Sequence, residues 1–346
     1  MKRLYNLDYL RGISALGIMI YHYSSWSNGN FSAETFMGRF GIYGVSIFYV
    51  LSGLTLFHVY YSKMQFSLQG IIFFFKKRVF RIFPLLWIVT LLTIALSRKI
   101  INFTDLFLNL SGLFGFISWD KYFATGGWSI GNEIVFYTFF PFFVLCIKKF
   151  KFLMFLIGLI ILGLYLYFAF LKLNTNSTLS EQWTKYVNPL NHVFFFLGGV
   201  LIGYFFKDVF FKNFFIIVLL FLGITFFVFY PSKGDTINIV TGISRLIFTA
   251  CCLLICFCFY KMTFNLPKFV HQPLALLGEI SYSVYLIHPI ILNLTLIASR
   301  IFIKVFFYFP ESVSIILSVV FTIIISYYSY QYFEKYFIKL VEQKNK

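Results

Sequence analysis

Ionisable side chains within long apolar segments are the residues of this sequence best suited to chemistry. A charge is costly in hydrocarbon, so such residues usually face a bundle interior or a cavity. The apolar segments contain Asp8, Arg11, His22, His58, Glu133, His192, Arg245 and His288. A histidine and a carboxylate at one depth would suit general-base catalysis, with the acid fixing the imidazole tautomer.

Helical geometry places some of these residues on common faces. Arg11 and His22 are eleven residues apart, so they share one helix face and lie about 16 Å apart along the axis. Asp8 lies one turn before Arg11 and can pair with it. If their two helices run in opposite directions, His22 and Glu133 reach similar depths and can meet. The alternative is a buried polar network that only holds helices together.

The remaining ionisable residues in apolar segments have weaker claims to chemistry. His288 lies near the middle of its segment. Two alternative roles are considered for it, lining a substrate channel and packing between helices. His58 is expected at the membrane interface. His192 and Arg245 are expected to pack inside the protein, with contact to an acidic sugar or a lipid phosphate as the alternative.

The segments that carry these residues are predicted to be membrane helices. The 346 residues are 60% hydrophobic and 12% charged, against roughly 45–50% and 25% in soluble domains. A water-soluble core could not bury 51 Phe and 24 Tyr, which excludes a soluble enzyme as well as a disordered chain. An all-α polytopic membrane protein is expected, with ten segments of about 20 residues that can each span a bilayer. They are 7–27, 41–61, 80–98, 127–147, 152–171, 187–206, 213–231, 238–260, 278–299 and 312–333.

The basic residues indicate topology rather than nucleic-acid binding. The net charge is +17, but Lys and Arg lie in short clusters between the apolar segments. Ten spans place both termini on one side, which also carries the larger share of the basic residues, including Lys2, Lys344 and Lys346. That side is predicted to be cytoplasmic. Arg98 and Lys99 belong to the smaller basic set predicted outside.

A single membrane domain is expected over residues 1–346. The longest connection, 99–126, is too short for a separate globular domain, so no appended soluble domain is predicted. Four of the five cysteines lie on one span, where their sulfurs would spread around the helix rather than converge. Neither a metal site nor a disulfide framework is therefore predicted.

Five motifs in chain order give the sequence a family resemblance. They are LDYLRGISALGIMIYH (7–22), GIYGVSIFYVLSGL (41–54), KRVFRIFPLLW (77–87), WSIGNEIVFY (128–137) and GEISYSVYLIHP (278–289). Together they resemble the signature segments of acyltransferase family 3, membrane enzymes that acylate surface sugars. Ser46 stands at a position of the second motif where an acidic or other polar residue often occurs.

The resemblance implies transfer of an acyl group, most often acetyl from acetyl-CoA, at a bacterial inner membrane. The implied acceptor is a hydroxyl of an O-antigen, capsule or exopolysaccharide, or of its undecaprenyl-linked precursor. Acetyl-CoA would be a substrate, with no permanently bound cofactor. Arg11, Arg78 and Arg81 would bind CoA phosphates. His22 would remove the hydroxyl proton or first take the acyl group itself, and Glu133 would orient or recharge it.

Other motif residues receive supporting roles. Trp128 and Ser129 would shape the acceptor side, while Tyr282 and His288 belong to the late motif. Ser52 and Gly53 are expected to allow close helix approach. A nucleophilic role for Ser52 is not favoured, because no base is evident at its depth.

Two other functional classes are weighed against this interpretation. A transporter or flippase of a lipid-linked sugar should show inverted repeats or broken half-helices, and the sequence shows neither. A membrane polysaccharide polymerase would typically have larger outward loops. Acylation of a lipid, a peptide or a small antibiotic stays open as an alternative acceptor class.

Overall fold

The chain folds into packed α-helices. The structure is a computed structural model that describes residues 3–97, 100–263, 266–306 and 311–343. No strand occurs among these residues, and the predicted all-α class is confirmed. Several basic residues used in the topology prediction lie outside the described residues: Lys2, Arg98, Lys99, Lys344 and Lys346.

The helices are numbered in chain order. The first seven are α1 (Tyr5–Asn28), α2 (Phe36–Tyr60), α3 (Leu68–Ser97), α4 (Phe103–Ser111), α5 (Phe114–Ile117), α6 (Gly127–Lys149) and α7 (Lys151–Tyr167). The next seven are α8 (Trp183–Tyr186), α9 (Pro189–Phe206), α10 (Asn213–Phe229), α11 (Gly242–Lys261), α12 (Lys268–Phe306), α13 (Glu311–Tyr328) and α14 (Lys335–Gln343). A π-helical turn at Phe168–Lys172 extends α7, and another at Ser329–Glu334 joins α13 to α14. A 3₁₀ turn lies at Thr236–Ile239.

A multi-pass membrane protein is confirmed by the length and hydropathy of these helices. In the part of the chain that the structure describes, eight helical segments are long and apolar enough to cross a membrane. The other two predicted spans also form helices. One is α1, which has 24 residues and carries Asp8 and Arg11, and the other is α10, which has 17 residues. The number of spans and the side of the termini stay predictions.

Two helices extend well beyond their predicted spans. The predicted span 80–98 is the later part of α3, which begins at Leu68, and the predicted span 278–299 lies within α12, which begins at Lys268. Both extensions include basic residues, such as Lys76 in α3. An apolar run marks the part of a helix that lies in hydrocarbon, whereas the helix itself continues into the interface.

Basic side chains from several helices gather at one end of the bundle, which we call the basic side. Arg78 of α3 donates a hydrogen bond to the Tyr60 hydroxyl at 3.2 Å. Lys148 at the end of α6 and Lys207 after α9 both lie over the Tyr61 ring. Because Arg78, Lys148 and Lys207 flank predicted spans on the side predicted to be cytoplasmic, the gathering agrees with the charge pattern used to predict topology.

Glycines allow the central helices to approach closely. A Cβ at Gly12 of α1 would overlap the backbone of α12 at Gly278, and one at Gly278 would overlap the backbone of α1. Gly53 of α2 lies against the Phe196 carbonyl of α9 in the same way. Small residues at such crossings bring polar side chains on neighbouring helices within contact distance.

The start of α6 is the feature that most affects the position of Glu133. Gly126 precedes α6 with φ 78°, and its carbonyl accepts hydrogen bonds from Ser129 Oγ at 2.9 Å and from the Tyr285 hydroxyl at 3.2 Å. Tyr285 lies one helical turn before His288 on α12. The first turn of α6 is therefore level with Tyr285, inside the bundle.

Candidate active site

A polar cavity of about 90 Å³ opens between α1, α2, α3, α6 and α12. Its charged lining consists of Arg11, Arg78, Arg81 and Glu133. Its other polar lining residues are Tyr49, Ser52, Thr55, Ser129, Tyr137, Ser281, Tyr282 and Tyr285. The structure thus brings the three predicted CoA-binding arginines together in one place, with the predicted carboxylate beside them.

Arg11 contacts Thr55 of α2 more closely than it contacts Asp8. The guanidinium Nη2 of Arg11 donates to Thr55 Oγ1 at 3.0 Å, whereas its ion pair with Asp8 is 3.4 Å long. Asp8 accepts a shorter bond, 2.7 Å, from Arg3, which also pairs with Glu279 at 2.6 Å. Partial burial works to lower the pKa of Arg3, but these two carboxylates raise it above its ordinary value. The predicted Asp8–Arg11 pair is present, and it is the weaker of the two pairs that Asp8 makes.

Arg78 and Arg81 are two cavity arginines that make no ion pair with another described residue. Arg78 lies over the rings of Tyr60 and Phe74, and its Nε is buried without a hydrogen-bond partner. None of the ion pairs between described residues includes Arg78 or Arg81. Arg78 is half-buried and Arg81 is exposed. A buried donor without a partner is costly, and planar donors of this kind suit phosphate oxygens. The cavity is therefore equipped to bind an anionic ligand.

Glu133 forms a cluster with Ser52 and Tyr137. Ser52 Oγ donates to Glu133 Oε1, and it lies 3.2 Å from the Tyr137 hydroxyl. The prediction that no base lies at the depth of Ser52 is wrong. It assumed that α6 begins at the outer surface, whereas its first turn lies inside the bundle and places Glu133 deeper.

A second polar group lies beyond the outer end of the cavity. His22 Nδ1 and His288 Nε2 are 2.8 Å apart, and their rings are nearly parallel. The Nδ1 atom of His288 lies 3.0 Å from the Val284 carbonyl oxygen. The Trp26 ring stacks on the outer face of this pair, with 4.8 Å between its centroid and that of His22. His288 is buried, and Trp26 is exposed.

His22 and Glu133 are not brought together. Neither His22 nor His288 lines the cavity that contains Glu133. The Tyr285 hydroxyl and Ser129 Oγ are 2.7 Å apart and form part of the cavity wall next to the histidines, with 6.2 Å between the Tyr285 and His288 ring centroids. Tyr285 thus belongs to the cavity lining and also contacts the histidine pair.

The other predicted residues occupy several environments. The Tyr282 hydroxyl lines the cavity and donates to the Ile82 carbonyl at 2.6 Å. Trp128 does not line the cavity and lies in a cluster of aromatic rings that includes His192. His192 and Arg245 make buried hydrogen bonds to Tyr186 and Asn191, respectively. His58 is half-buried, with its ring near Tyr260.

Sequence reasoning gave no role to several residues at these sites, among them Thr55, Tyr137 and Trp26. Tyr137 lies four residues after Glu133, and Trp26 lies four residues after His22. Residues four apart lie on one face of a helix, so this spacing was the available signal. Thr55, three residues after Ser52, follows the same rule.

Comparison with known proteins identifies a family for the chain. Residues 4–331 match a family model described as an acyltransferase domain, which is nearly the whole of the 346-residue chain. The match includes all five motifs and every helix that lines the cavity. No curated protein and no solved structure matches the chain.

Proposed function

The chain belongs to acyltransferase family 3, and from that premise we propose the reaction that it catalyses. It transfers an acetyl or other short acyl group from acyl-CoA to a hydroxyl of a cell-surface carbohydrate or its undecaprenyl-linked precursor. We place it in the inner membrane of a bacterium, with the basic side facing the cytoplasm. There the donor is available to the cavity.

The observation that carries this proposal is the set of arginines in the cavity. Coenzyme A carries several phosphate charges, and neither Arg78 nor Arg81 forms an ion pair with a described carboxylate. The unpartnered Nε of Arg78 is a ready donor to a phosphate oxygen. The cavity binds the nucleotide end at the basic side, and Arg11 marks the deeper path that the pantetheine arm follows.

His22 acts as the catalytic base. As the acceptor oxygen bonds to the acyl carbon, His22 Nε2 takes the hydroxyl proton and the carbon–sulfur bond breaks. The imidazolium then gives this proton to the CoA thiolate, so the products are an ester and free CoA. The acceptor reaches His22 from the outer side, next to the exposed Trp26.

His288 is a positioning residue for His22. A backbone carbonyl can only accept, so the 3.0 Å bond to Val284 requires a hydrogen on His288 Nδ1. In the neutral ring, His288 Nε2 then accepts from His22 Nδ1–H. This leaves the lone pair on His22 Nε2, the atom that must take the proton. Glu133 instead orders Ser52 and Tyr137 on the cavity wall.

The thioester must pass the hydrogen bond between Ser129 and Tyr285 to reach His22. Both side chains line the cavity, and Tyr285 also contacts the His288 ring. We assign this pair as the closure between donor cavity and histidines. When the hydrogen bond between Ser129 and Tyr285 is formed, this pair keeps the donor away from water on the outer side.

The experiment that tests the function is transfer of labelled acetyl from acetyl-CoA by the purified protein. The acceptor is a lipid and glycan extract of the host, and the products are separated into lipid-linked and polymeric fractions. Label in a glycan fraction with the wild type, and none with a folded His22→Ala variant, is the expected result. A folded wild-type protein that neither binds nor consumes any acyl-CoA would refute the proposal.

A further inference from the structure

An apolar groove of about 600 Å³ lies on the outside of the bundle, apart from the polar cavity. It runs between α7 and α9, with α11 forming its floor at Leu253. Apart from Lys151, its lining consists of apolar side chains, aromatic side chains and glycines. In a membrane protein such a groove faces lipid tails, and the remaining question is whether its shape and charge select one lipid.

The length of the groove fits one leaflet of a bilayer. Along α7 it extends from Lys151 to Leu162, eleven residues or about 16 Å of helix. Half of a hydrocarbon core of about 30 Å is about 15 Å. The Lys151 end lies at the basic side, since α7 begins directly after Lys148 and Lys149. The groove therefore runs from the headgroup level to the middle of the bilayer.

The charge at its basic end fits an anionic headgroup. Lys151 is exposed, and none of the ion pairs found between described residues includes it. A lysine near the surface of a leaflet contributes attraction to anionic lipids, and its ammonium reaches toward the headgroups while its stem stays in the apolar region.

Gly158 leaves open space halfway along the groove. A Cβ built at Gly158 would meet nothing within 4 Å, although the residue lines the groove. A glycine in the interior of a helix costs stability, and here no neighbouring helix occupies the space that it leaves. This space can be taken up by a lipid tail.

We propose that this groove binds one anionic glycerophospholipid, with an acyl chain along Gly158 and the phosphate at Lys151. The site does not depend on the proposed acyltransferase reaction. A single acyl chain of a lipid in one leaflet fills the length of the groove. The phosphate lies at Lys151, the charged residue among the described residues that line the groove. The ligand is thus distinguished from bulk lipid by both its charge and its position.

The chain supplies matched controls for both parts of the site. Gly163 also has nothing within 4 Å of a built Cβ, lies on the same helix and does not line the groove. Gly158→Leu fills the groove, and Gly163→Leu makes the same chemical change outside it. Likewise, Lys151→Gln removes the charge that lines the groove. Lys149→Gln removes an exposed charge that lies outside the groove lining.

The test measures lipid retained by the purified protein. The full chain is reconstituted in vesicles of equal phosphatidylglycerol and phosphatidylcholine, re-extracted in mild detergent, and its bound lipid is quantified by mass spectrometry. The wild type, Gly163→Leu and Lys149→Gln are expected to retain phosphatidylglycerol in preference to phosphatidylcholine. Gly158→Leu loses this retention, and Lys151→Gln reduces it about fivefold, as expected for one lysine at an anionic surface. A thermal unfolding transition confirms that each variant is folded.

Three results would overturn the proposal. Equal retention by Gly158→Leu and Gly163→Leu would show that the groove does not hold the lipid. Equal retention of the two phospholipids by the wild type would remove the role of Lys151. Recovery of a polyprenyl phosphate from protein purified out of its host, in place of a glycerophospholipid, would show a different occupant.

Discussion

The cavity and the histidine pair differ in how many of their polar atoms have a hydrogen-bond or ion-pair partner. In the cavity, Arg78 has a buried donor with no partner, and Arg81 has no ion pair with any described residue. In the pair, His288 uses both ring nitrogens and His22 uses one, which leaves His22 Nε2. Several free donors suit a ligand with several charges, whereas a single free lone pair suits the transfer of one proton. Binding and chemistry are thus assigned to different regions.

Loss of His22 should have the largest effect on activity. His22→Ala removes the proton acceptor, so kcat for acetyl transfer is expected to fall by about 10²–10⁴-fold. Initial rates with labelled acetyl-CoA and host glycan extract measure it. His58→Ala is the matched control, because His58 lies outside both polar regions. Equal losses in the two variants would assign the effect to general disruption of the membrane helices.

Substitution of His288 should have the second largest effect on activity. The size of the effect should depend on which ring nitrogen the new side chain replaces. In Gln the terminal oxygen can take the place of Nε2 and accept from His22, whereas the shorter Asn reaches only the Nδ1 position. His288→Asn is expected to lower kcat by about ten- to 100-fold with little change in KM for acetyl-CoA, and His288→Gln by about threefold.

The tautomer itself can be read without any activity assay. The chain has five histidines, so ¹⁵N-histidine NMR of the purified protein gives a spectrum in which His22 is assigned by its loss in His22→Ala. The wild type should show hydrogen on His22 Nδ1 and none on Nε2. Similar kcat values for the Asn and Gln variants, or the opposite tautomer, would exclude a positioning role for His288.

Substitution of Arg78 should have a moderate effect that is limited to donor binding. Arg78→Gln removes a charge-assisted contact to phosphate, so KM for acetyl-CoA is expected to rise about tenfold while kcat changes little. Acetyl-pantetheine, which lacks the nucleotide phosphates, should be used equally well by both proteins. Lys76→Gln is the control, since Lys76 is exposed and does not line the cavity. A fall in kcat with unchanged KM would place Arg78 in the chemical step.

Loss of the Tyr285 hydroxyl should have the smallest effect. Tyr285→Phe keeps the ring but removes the hydrogen bond to Ser129, worth a factor of about two to five. Acetyl-CoA hydrolysis without acceptor should increase by that factor, because the donor reaches water on the outer side more often. Release of free CoA thiol measures it. An unchanged or lower rate of hydrolysis would show that this pair is not the closure.

The sequence predicted the class of the fold and the composition of the cavity better than it predicted contacts. Segment length and charge are local properties, so the multi-pass helical architecture and the clustering of Arg11, Arg78 and Arg81 could be expected from motifs and spacing. The meeting of His22 with Glu133 required the depth at which α6 begins. That depth depends on the turn at Gly126 and on its contact with Tyr285, which no local pattern encodes.

The same reason explains why the contacts of Ser52 and His288 could not be predicted from the sequence. Ser52 lies beside a carboxylate because two helices start at different depths, and His288 meets His22 because α1 and α12 cross closely at Gly12 and Gly278. Glycine motifs predict that helices approach, but they do not say which side chains then come into contact.

Equilibrium binding of acetyl-CoA to the wild type, His22→Ala and Arg78→Gln tests the separation of binding from chemistry most directly, because it needs no acceptor. The account predicts that His22→Ala binds acetyl-CoA as tightly as the wild type does, while Arg78→Gln binds about tenfold more weakly. Lost binding in folded His22→Ala together with unchanged binding in Arg78→Gln would contradict it.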